Sequence, residues 1–489
     1  MIRLRFAAGL GVPLLLGCAS SGGGPPTAPA PAETPEQLLA QARGHFEAGE
    51  WSLAIDGVDR AVGAGLDPAR TRDLRAGALL LSGAPAAALR TWGHDTPRID
   101  VIRVRGTRSL DERAVLARAG LVVGARLDAS TYVRAQRRLT GIPAASATAV
   151  RFHPRADRTA EVELVLAERP RPLGSLGAAV TKLGEALVRE QSTMHWPAPV
   201  PRVGAVRLDG RWSDGRRSAA LGLDDVGIGL PGRTDLSIGI GTESYADDVD
   251  QWSFTRIALR TGDWVSERTF LAGTVGWEQS TMPSVSGRPW LGVESELRAL
   301  DDRARVSVQA SRRASTDAPA QTVAVAMGVR TKREFVPLEW QAALEGGVEH
   351  ASASTPRPLW PGAGVGRARA PLLRAHPLLE GGAIRVDRAF GRLLVHASGE
   401  LQSPSTWAGW GWMSGALFID AGRAAERAGS LGPWTAVDAG TGFRFHTPFG
   451  WALRVDGSVG LLDGEKALSV GLLSRWNVWR SGLSRVVFH

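Results

Sequence analysis

From about Leu173 onward, short segments that alternate apolar and polar residues follow one another every 12 to 18 residues. Val206 and Leu208 point to one side while Arg207, Asp209 and Arg211 point to the other. Leu291, Val293 and Leu297 likewise oppose Glu294, Glu296 and Arg298, and Val306 and Val308 oppose Arg305, Ser307 and Gln309. Val323, Val325, Met327 and Val329 continue the pattern. A period of two is that of a strand, whose successive side chains leave opposite faces of the sheet. An apolar face opposite a face of arginine and carboxylate suits a barrel with lipid outside and a polar lining, although soluble β-proteins share the alternation. No interior run of about 18 apolar residues offers a membrane helix, and the mean hydropathy is −0.07. Roughly 14 segments are convincing. With a marginal first and last strand, the even total expected of such barrels is 14 or 16. The chain is therefore expected to be mostly β, with a transmembrane antiparallel β-barrel over 171–489. Trp212, Trp252, Trp290, Trp410, Trp434, Trp451 and Trp476 stand near segment ends, which predicts interfacial girdles where an indole keeps one edge wet.

The first residues bear on compartment. Arg3 and Arg5 precede the apolar run Phe6 to Leu16, too short to span a bilayer and shaped like a secretory signal. LLGC ends it, and this resembles the lipobox of bacterial lipoproteins, which implies a signal peptide over 1–17 and diacylation of Cys18. Cys18 is the sole cysteine, so no intramolecular disulfide can form although an exported compartment would permit one. Ala19 after the cysteine implies, by the same resemblance, sorting to the outer membrane.

Between signal and barrel lie three blocks. Residues 18–34 carry SSGGGPPTAPAPAET, too poor in apolar surface to order itself, and read as a flexible linker. Over 35–96, apolar positions recur at helical spacing: Leu38, Leu39, Ala42 and Phe46; then Trp51, Ala54, Ile55, Val58 and Ala61; then Leu74 to Leu81; then Ala86 to Trp92. Turns fall at Gly49, Gly63 to Asp67 and Gly83. These segments resemble tetratricopeptide-type helical hairpins. A plain helical spacer and a peptide-binding arm both fit them. Over 97–170 the pattern becomes strand (Ile99 to Arg105), helix (Leu110 to Ala119), helix (Ala129 to Leu139), strand (Thr148 to His153) and strand (Ala160 to Glu168). This βααββ order resembles a POTRA domain, with Gly106, Gly124 and Gly141 at the turns. A three-stranded sheet with two helices on one face leaves an edge strand that can accept an extended peptide, or the unit merely orients the barrel.

The net charge of +9 does not point to nucleic acid, because the arginines are interleaved with acidic residues rather than gathered on one face. No G-x-S-x-G elbow, H-E-x-x-H, paired-cysteine metal site or P-loop occurs, and GAGVG at Gly362 lacks a nucleotide-binding context. Neither enzymatic chemistry nor a cofactor or metal is expected.

The segment from about Ala351 to Arg388 is too long and too weakly alternating for a strand, and a loop of that length usually has a role. It contains LLRAHPLL, and GRLLVHASGELQ and ALFIDAGR follow. These residues, together with DAGTGFRFHTPFGWALRVDGSVGL, resemble the bacterial surface antigen superfamily of barrels, which includes the BamA and TamA assembly factors and the two-partner-secretion transporters. The resemblance covers about residues 98–476 and is weak in the first half of the barrel. It implies a loop folded back into the lumen, with Arg374 at the arginine position of the loop tip meeting Asp420 at the acidic position of FIDAG. Ala375 and His376 stand where the family has a glycine and an aromatic residue. Alternation places Leu417, Ile419 and Ala421 toward lipid and Phe418, Asp420 and Gly422 inward. A guanidinium offers an inward carboxylate a planar, always-charged partner, so the pair reads as structural or gating chemistry. Glu400, which fits the family's S-x-E-L pattern, reads either as a member of the pair's network or as an ordinary hydrated carboxylate; Gly422 and His376, the latter otherwise a loop-packing residue, are the other candidate members. After Trp476 the tail NVWRSGLSRVVFH is either an extra strand or a periplasmic segment.

The implied function is insertion or translocation of exported or nascent outer-membrane polypeptides, through a periplasmic POTRA arm and a loop-gated barrel. The implied partners are those polypeptides, outer-membrane lipid and periplasmic accessory proteins. The alternative is a passive pore or structural barrel.

Overall fold

A computed structural model describes residues 33–169 and 171–474, apart from 172–173, 175–178, 180–182, 184–185, 187–190, 198–203, 214, 227–231, 248–250, 282–286, 315–317, 332–337, 365–372, 387, 410, 426–434 and 447–450. Cys18, most of the Gly/Pro/Ala linker, Trp410, Trp434, Trp476 and the tail beyond it lie outside these residues. The chain forms two compact units, Met1–Ala84 and Pro85–His489.

The first unit contains α1 (Pro35–Glu47), α2 (Trp51–Gly63) and α3 (Pro68–Leu81). Thr34 opens α1 with a reciprocal capping box to Gln37, which satisfies amides that a helix start leaves without partners. A Cβ on Gly57 would stand 3.0 Å from that of Ala42, so the small residues set how closely α1 and α2 approach. Phe46 meets Trp51 edge-on at 5.2 Å.

The second unit begins with α4 (Pro85–Trp92), so the four helical segments are divided between the units. There follow β1 (Arg98–Arg105), α5 (Glu112–Ala119), α6 (Ala129–Thr140), β2 (Ala145–Pro154) and β3 (Thr159–Glu168). The three strands form a sheet in the order β1-β3-β2, with β1 parallel to β3. Val150, Phe152, Val162 and Leu164 are buried beneath the helices. The other face is a ladder of exposed ion pairs, including Arg103–Glu161 at 2.7 Å and Arg155–Asp100 at 2.7 Å. Trp92 lies edge-on to Phe152 at 6.4 Å and Leu89 is buried, which anchors α4 here.

Among the described residues a large sheet of 16 strands follows. Its strands are β4 (Gln191–Pro197), β5 (Ala205–Ser213), β6 (Arg216–Asp224), β7 (Arg233–Glu243), β8 (Trp252–Trp264), β9 (Thr269–Ser280), β10 (Arg288–Ala299), β11 (Ala304–Arg313), β12 (Ala320–Arg330) and β13 (Gln341–Ala351). A long connection carrying the hairpin β14 (Leu379–Glu380) and β15 (Ala383–Ile384) leads to β16 (Leu393–Gln402), β17 (Thr406–Trp407), β18 (Trp412–Ala425), β19 (Thr435–His446), β20 (Trp451–Gly460) and β21 (Lys466–Ser474). Neighbours pair antiparallel in chain order from β4 to β21, except that β13 pairs directly with β16 and β17 adds to β18. Among the described residues β4 and β21 do not pair.

The two faces invert the usual arrangement of a soluble sheet. Leu291, Val293, Met327 and Leu344 are each more than 60% exposed, while Arg260, Glu294 and Glu296 on the opposite parity are buried. Arg260 pairs with Glu294 at 2.8 Å and Arg256 with Glu278 at 2.6 Å. Such a surface suits an apolar solvent outside and a polar interior. Trp212 is exposed as a girdle requires, but Trp290 is only 4% exposed. Trp290 shares parity with Glu294 and Glu296 and lies 5.3 Å from the Arg313 guanidinium, so it faces inward. Trp252 packs against Tyr245, also away from a girdle position. Among the described residues, Trp277, Trp340 and Trp407 are exposed indoles that the sequence positions do not single out.

The βααββ unit rests against turns at one end of this sheet through arginines of α5 and α6. Arg137 meets Asp302 at 2.5 Å and lies 4.3 Å over the Trp264 ring. Arg138 grips both oxygens of Asp263, and Arg118 stands 3.8 Å from Asp225.

Candidate functional site: the loop tip and its acidic row

The connection between β13 and β16 turns back over the polar face, and two different chemistries hold it. Its first anchor is apolar. Tyr245, Trp360, Leu378, Ile384 and Phe390 form a buried cluster with Ala351, in which Tyr245 stands 5.8 Å from Phe390 and Phe390 5.7 Å from Trp360. Main-chain bonds reinforce it: the Ile384 amide donates to Ser244 O at 2.8 Å, and the Ala246 amide to Ile384 O at 3.0 Å. A Cβ on Gly215 would come within 2.5 Å of Leu379, so only glycine lets the hairpin approach there.

The second anchor is ionic. Pairing across β16, β18, β19 and β20 puts Ser398, Asp420, Asp438 and Gly460 in one transverse row. Asp420 and Asp438 are both fully buried. Two carboxylates directly opposite each other repel, the more so away from water. The tip residues Leu373 to His376 compensate both. The Arg374 Nε lies 3.2 Å from Asp420 Oδ2, its Nη2 donates to Glu400 at 3.0 Å, and its Nη1 reaches Asp456 at 3.5 Å. The guanidinium carbon sits 3.8 Å over the Phe418 ring, a favourable cation–π position. The Ala375 amide donates to Asp438 Oδ2 at 2.6 Å, and His376 Nδ1 shares a hydrogen bond of 2.6 Å with Asp438 Oδ1. His376 Nε2 meets Asp463 at 2.7 Å. Asp420 also accepts from the Ser398 hydroxyl at 2.6 Å.

Behind the tip the network continues. Arg444 donates to Glu400 at 3.0 Å and to Asp456 at 2.5 Å, and Arg454 stands 3.1 Å from Asp456. Arg374, Arg444 and Arg454 thus face Glu400, Asp420 and Asp456 in a set of balanced formal charge. Space is made by glycines. A Cβ on Gly422 would lie 2.8 Å from Leu373 Cδ1, and one on Gly442 would lie 2.0 Å from Asp456 Oδ1. Leu373 itself is buried with φ of 59°, a left-handed conformation uncommon for leucine, and the turn it makes is closed by the His376 amide donating to Leu373 O at 3.0 Å.

Of the residues singled out from sequence, Arg374, Asp420 and Glu400 lie in direct contact. Gly422 supports them through Leu373, and His376 binds Asp438 rather than Asp420. Leu417 and Ile419 are more than half exposed while Phe418 and Asp420 are buried. Sequence reading assigned no role to Asp438, Arg444, Arg454, Asp456 or Asp463. The inward parity of Asp438, Arg444, Arg454 and Asp456 was the available signal. His376, Asp463 and Glu465 bring three ligand-type atoms within 4.8 Å of one another. These groups are already engaged, His376 with Asp463 and Glu465 with Arg388 at 2.5 Å.

The fold has solved relatives. CdiB from Escherichia coli is similar at 12% identity and a TM-score of 0.50, over 77% of this chain and 75% of that one. CdiB from Acinetobacter baumannii is similar at 10% identity and a TM-score of 0.49, covering 91% and 87% of the two chains. BamA from Haemophilus ducreyi lacking POTRA domains 1–3 is similar at 13% identity and a TM-score of 0.44, covering 77% and 85%. No family model matches the sequence. No curated protein matches it either.

Proposed function

We propose that this chain is a non-catalytic outer-membrane β-barrel that assists insertion or translocation of exported polypeptides, with a POTRA-like arm in the periplasm and a lipid tether at Cys18. The observation that carries the reading is the seating of Arg374 and His376 on Asp420 and Asp438, which ties the β13–β16 connection to the polar face. A loop bound to the polar face through buried ions can leave it only by breaking named contacts. The inverted sheet surface supports membrane residence, and the fold shared with CdiB supports the architecture. The arm supports a role in receiving polypeptide, since a small sheet with outer strands can be extended by another chain. The resemblance of the loop-tip and strand motifs to the BamA/TamA and two-partner-secretion group supports the same reading.

The test is depletion of the protein followed by quantitative proteomics of outer membranes and culture supernatant. Broad loss of barrels would mark an insertion role, and loss of one exported protein a dedicated translocator. Unchanged proteomes, together with a steady open conductance in planar bilayers that Arg374→Ala leaves unaltered, would overturn the reading in favour of a passive pore.

A further inference from the structure

In the order β1-β3-β2 both β1 and β2 are outer strands, and an outer strand ordinarily presents unpaired amide N–H and C=O groups. The middle of β2 does not. The Val150 amide donates to Gln136 Oε1 at 2.8 Å, the Tyr132 hydroxyl donates to Val150 O at 2.8 Å, and Gln136 Nε2 donates to Thr148 O at 3.3 Å. Thr148 and Val150 are two residues apart, so their main-chain groups leave the same edge. The primary amide of Gln136 supplies one acceptor and donors on a single plane, the same pair of functions that a peptide unit of a neighbouring strand would bring. Gln136 and Tyr132 lie one turn apart on α6, which stacks both over one stretch of β2. Tyr132 is buried and meets Phe152 edge-on at 5.8 Å, so its hydroxyl is held in place. Among the described residues, cover of β1 is confined to its first residues, where Ile99 exchanges bonds with Gly124 and Ala125.

We infer that α6 acts as a built-in strand mimic: Gln136 and Tyr132 keep the β2 edge closed, and an extended segment of exported polypeptide pairs with β2 only when these two side chains withdraw. This rests on the reading of the arm as a receiver of polypeptide. The exchange is favourable in outline, because an incoming strand offers main-chain bonds along the edge whereas α6 supplies three side-chain bonds at two residues. The device also explains how an outer strand avoids indiscriminate pairing before a client arrives.

The experiment uses full-length protein in detergent micelles and a fluorescent decapeptide, LLVHASGELQ, which is the sequence of β16 and stands for an amphipathic outer-membrane strand. Gln136→Met keeps bulk and removes the amide, and Tyr132→Phe keeps the ring and removes the hydroxyl, so neither variant opens a cavity. In the double variant without peptide, hydrogen exchange over 145–154 is expected to accelerate at least about fivefold, since an amide that loses its bond opens more readily. Peptide anisotropy is expected to report affinity at least about tenfold tighter than in the parent, with exchange protection returning over 145–154. Unchanged exchange and equal affinity overturn the strand-mimic role while leaving the receiving arm intact. Protection of 98–105 instead overturns the choice of edge. Faster exchange without peptide binding to either protein overturns the receiving arm, and with it the proposed occupant of β2.

Discussion

Asp420 on β18 and Asp438 on β19 are direct cross-strand partners, both fully buried, and the loop tip sets a cation or a donor against each. Their mutual repulsion predicts a particular order of stabilities. Arg374→Ala removes the charge beside Asp420 and leaves two buried carboxylates facing each other, which should cost about 3–5 kcal/mol as for other broken buried pairs. Adding Asp420→Asn removes the repulsion and should recover much of that loss, so the double variant should melt above the Arg374→Ala single. Thermal melts of the detergent-solubilised protein decide it, and a double variant melting below the single would remove this account of the row.

The two anchors of the β13–β16 connection predict non-additive release. The aromatic cluster around Tyr245 and the ionic cluster around Arg374 hold different parts of one loop, so either alone should keep it seated. In a Cys18→Ser background, a cysteine at buried Ala363 reports seating by its rate of reaction with a polar maleimide. Tyr245→Ala and Arg374→Ala should each raise the rate by less than about tenfold, and the pair by well over the product of the two, as coupled sites behave. Multiplicative effects would show that the loop is not held as one body.

Glycine at 422 is predicted to be a matter of space. Alanine there would press its Cβ to 2.8 Å from Leu373 Cδ1 and cost about 1–3 kcal/mol, typical of an overpacked site. Leu373→Ala empties part of a buried cluster and carries a cost of its own, but it also removes the clashing methyl, so the two changes together should cost less than the sum of the two singles. Strictly additive losses in the same thermal melt would show that the glycine serves some other purpose.

The parts that could be read from sequence are those written in residue parity. Alternation separated Leu417 and Ile419 from Phe418 and Asp420, and the same rule would have put Asp438, Arg444 and Asp456 on the inner face had it been applied strand by strand. Parity does not give register, however. That Asp420 faces Asp438, and that Gly442 leaves room for Asp456, follow from how strands slide against each other. Trp290 shows the same limit: its place near a strand end suggests a girdle, whereas its parity with Glu294 turns it inward. Tyr245 could not be paired with Trp360 and Phe390 because the contact spans more than a hundred residues and depends on where the loop folds back. In the arm the local pattern sufficed for the elements, while the capping of β2 by Gln136 required knowing which strand is outermost.

Acid should loosen the arm at one identifiable point. Burial opposes charge on Glu168, but the Arg108, Ser109 and Leu110 amides and the Ser109 hydroxyl all donate to its carboxylate and hold it down to about 2, against 4.5 for an ordinary glutamate. The folded value lies below the unfolded one, so the stabilisation is complete above about pH 4.5 and is lost as pH falls toward 2. The bonds tie the end of β3 to the turn before α5, where Gly106 passes so close to Leu166 O that a Cβ would stand 2.0 Å from it. Hydrogen exchange over 106–112 should therefore speed up across that window relative to 129–140, after correction for the intrinsic pH dependence. Glu168→Gln keeps an acceptor without the charge, and its segment should already exchange faster at neutral pH and change little on acidification. If the glutamine variant followed the same acid profile as the parent, another group would have to be responsible for the transition.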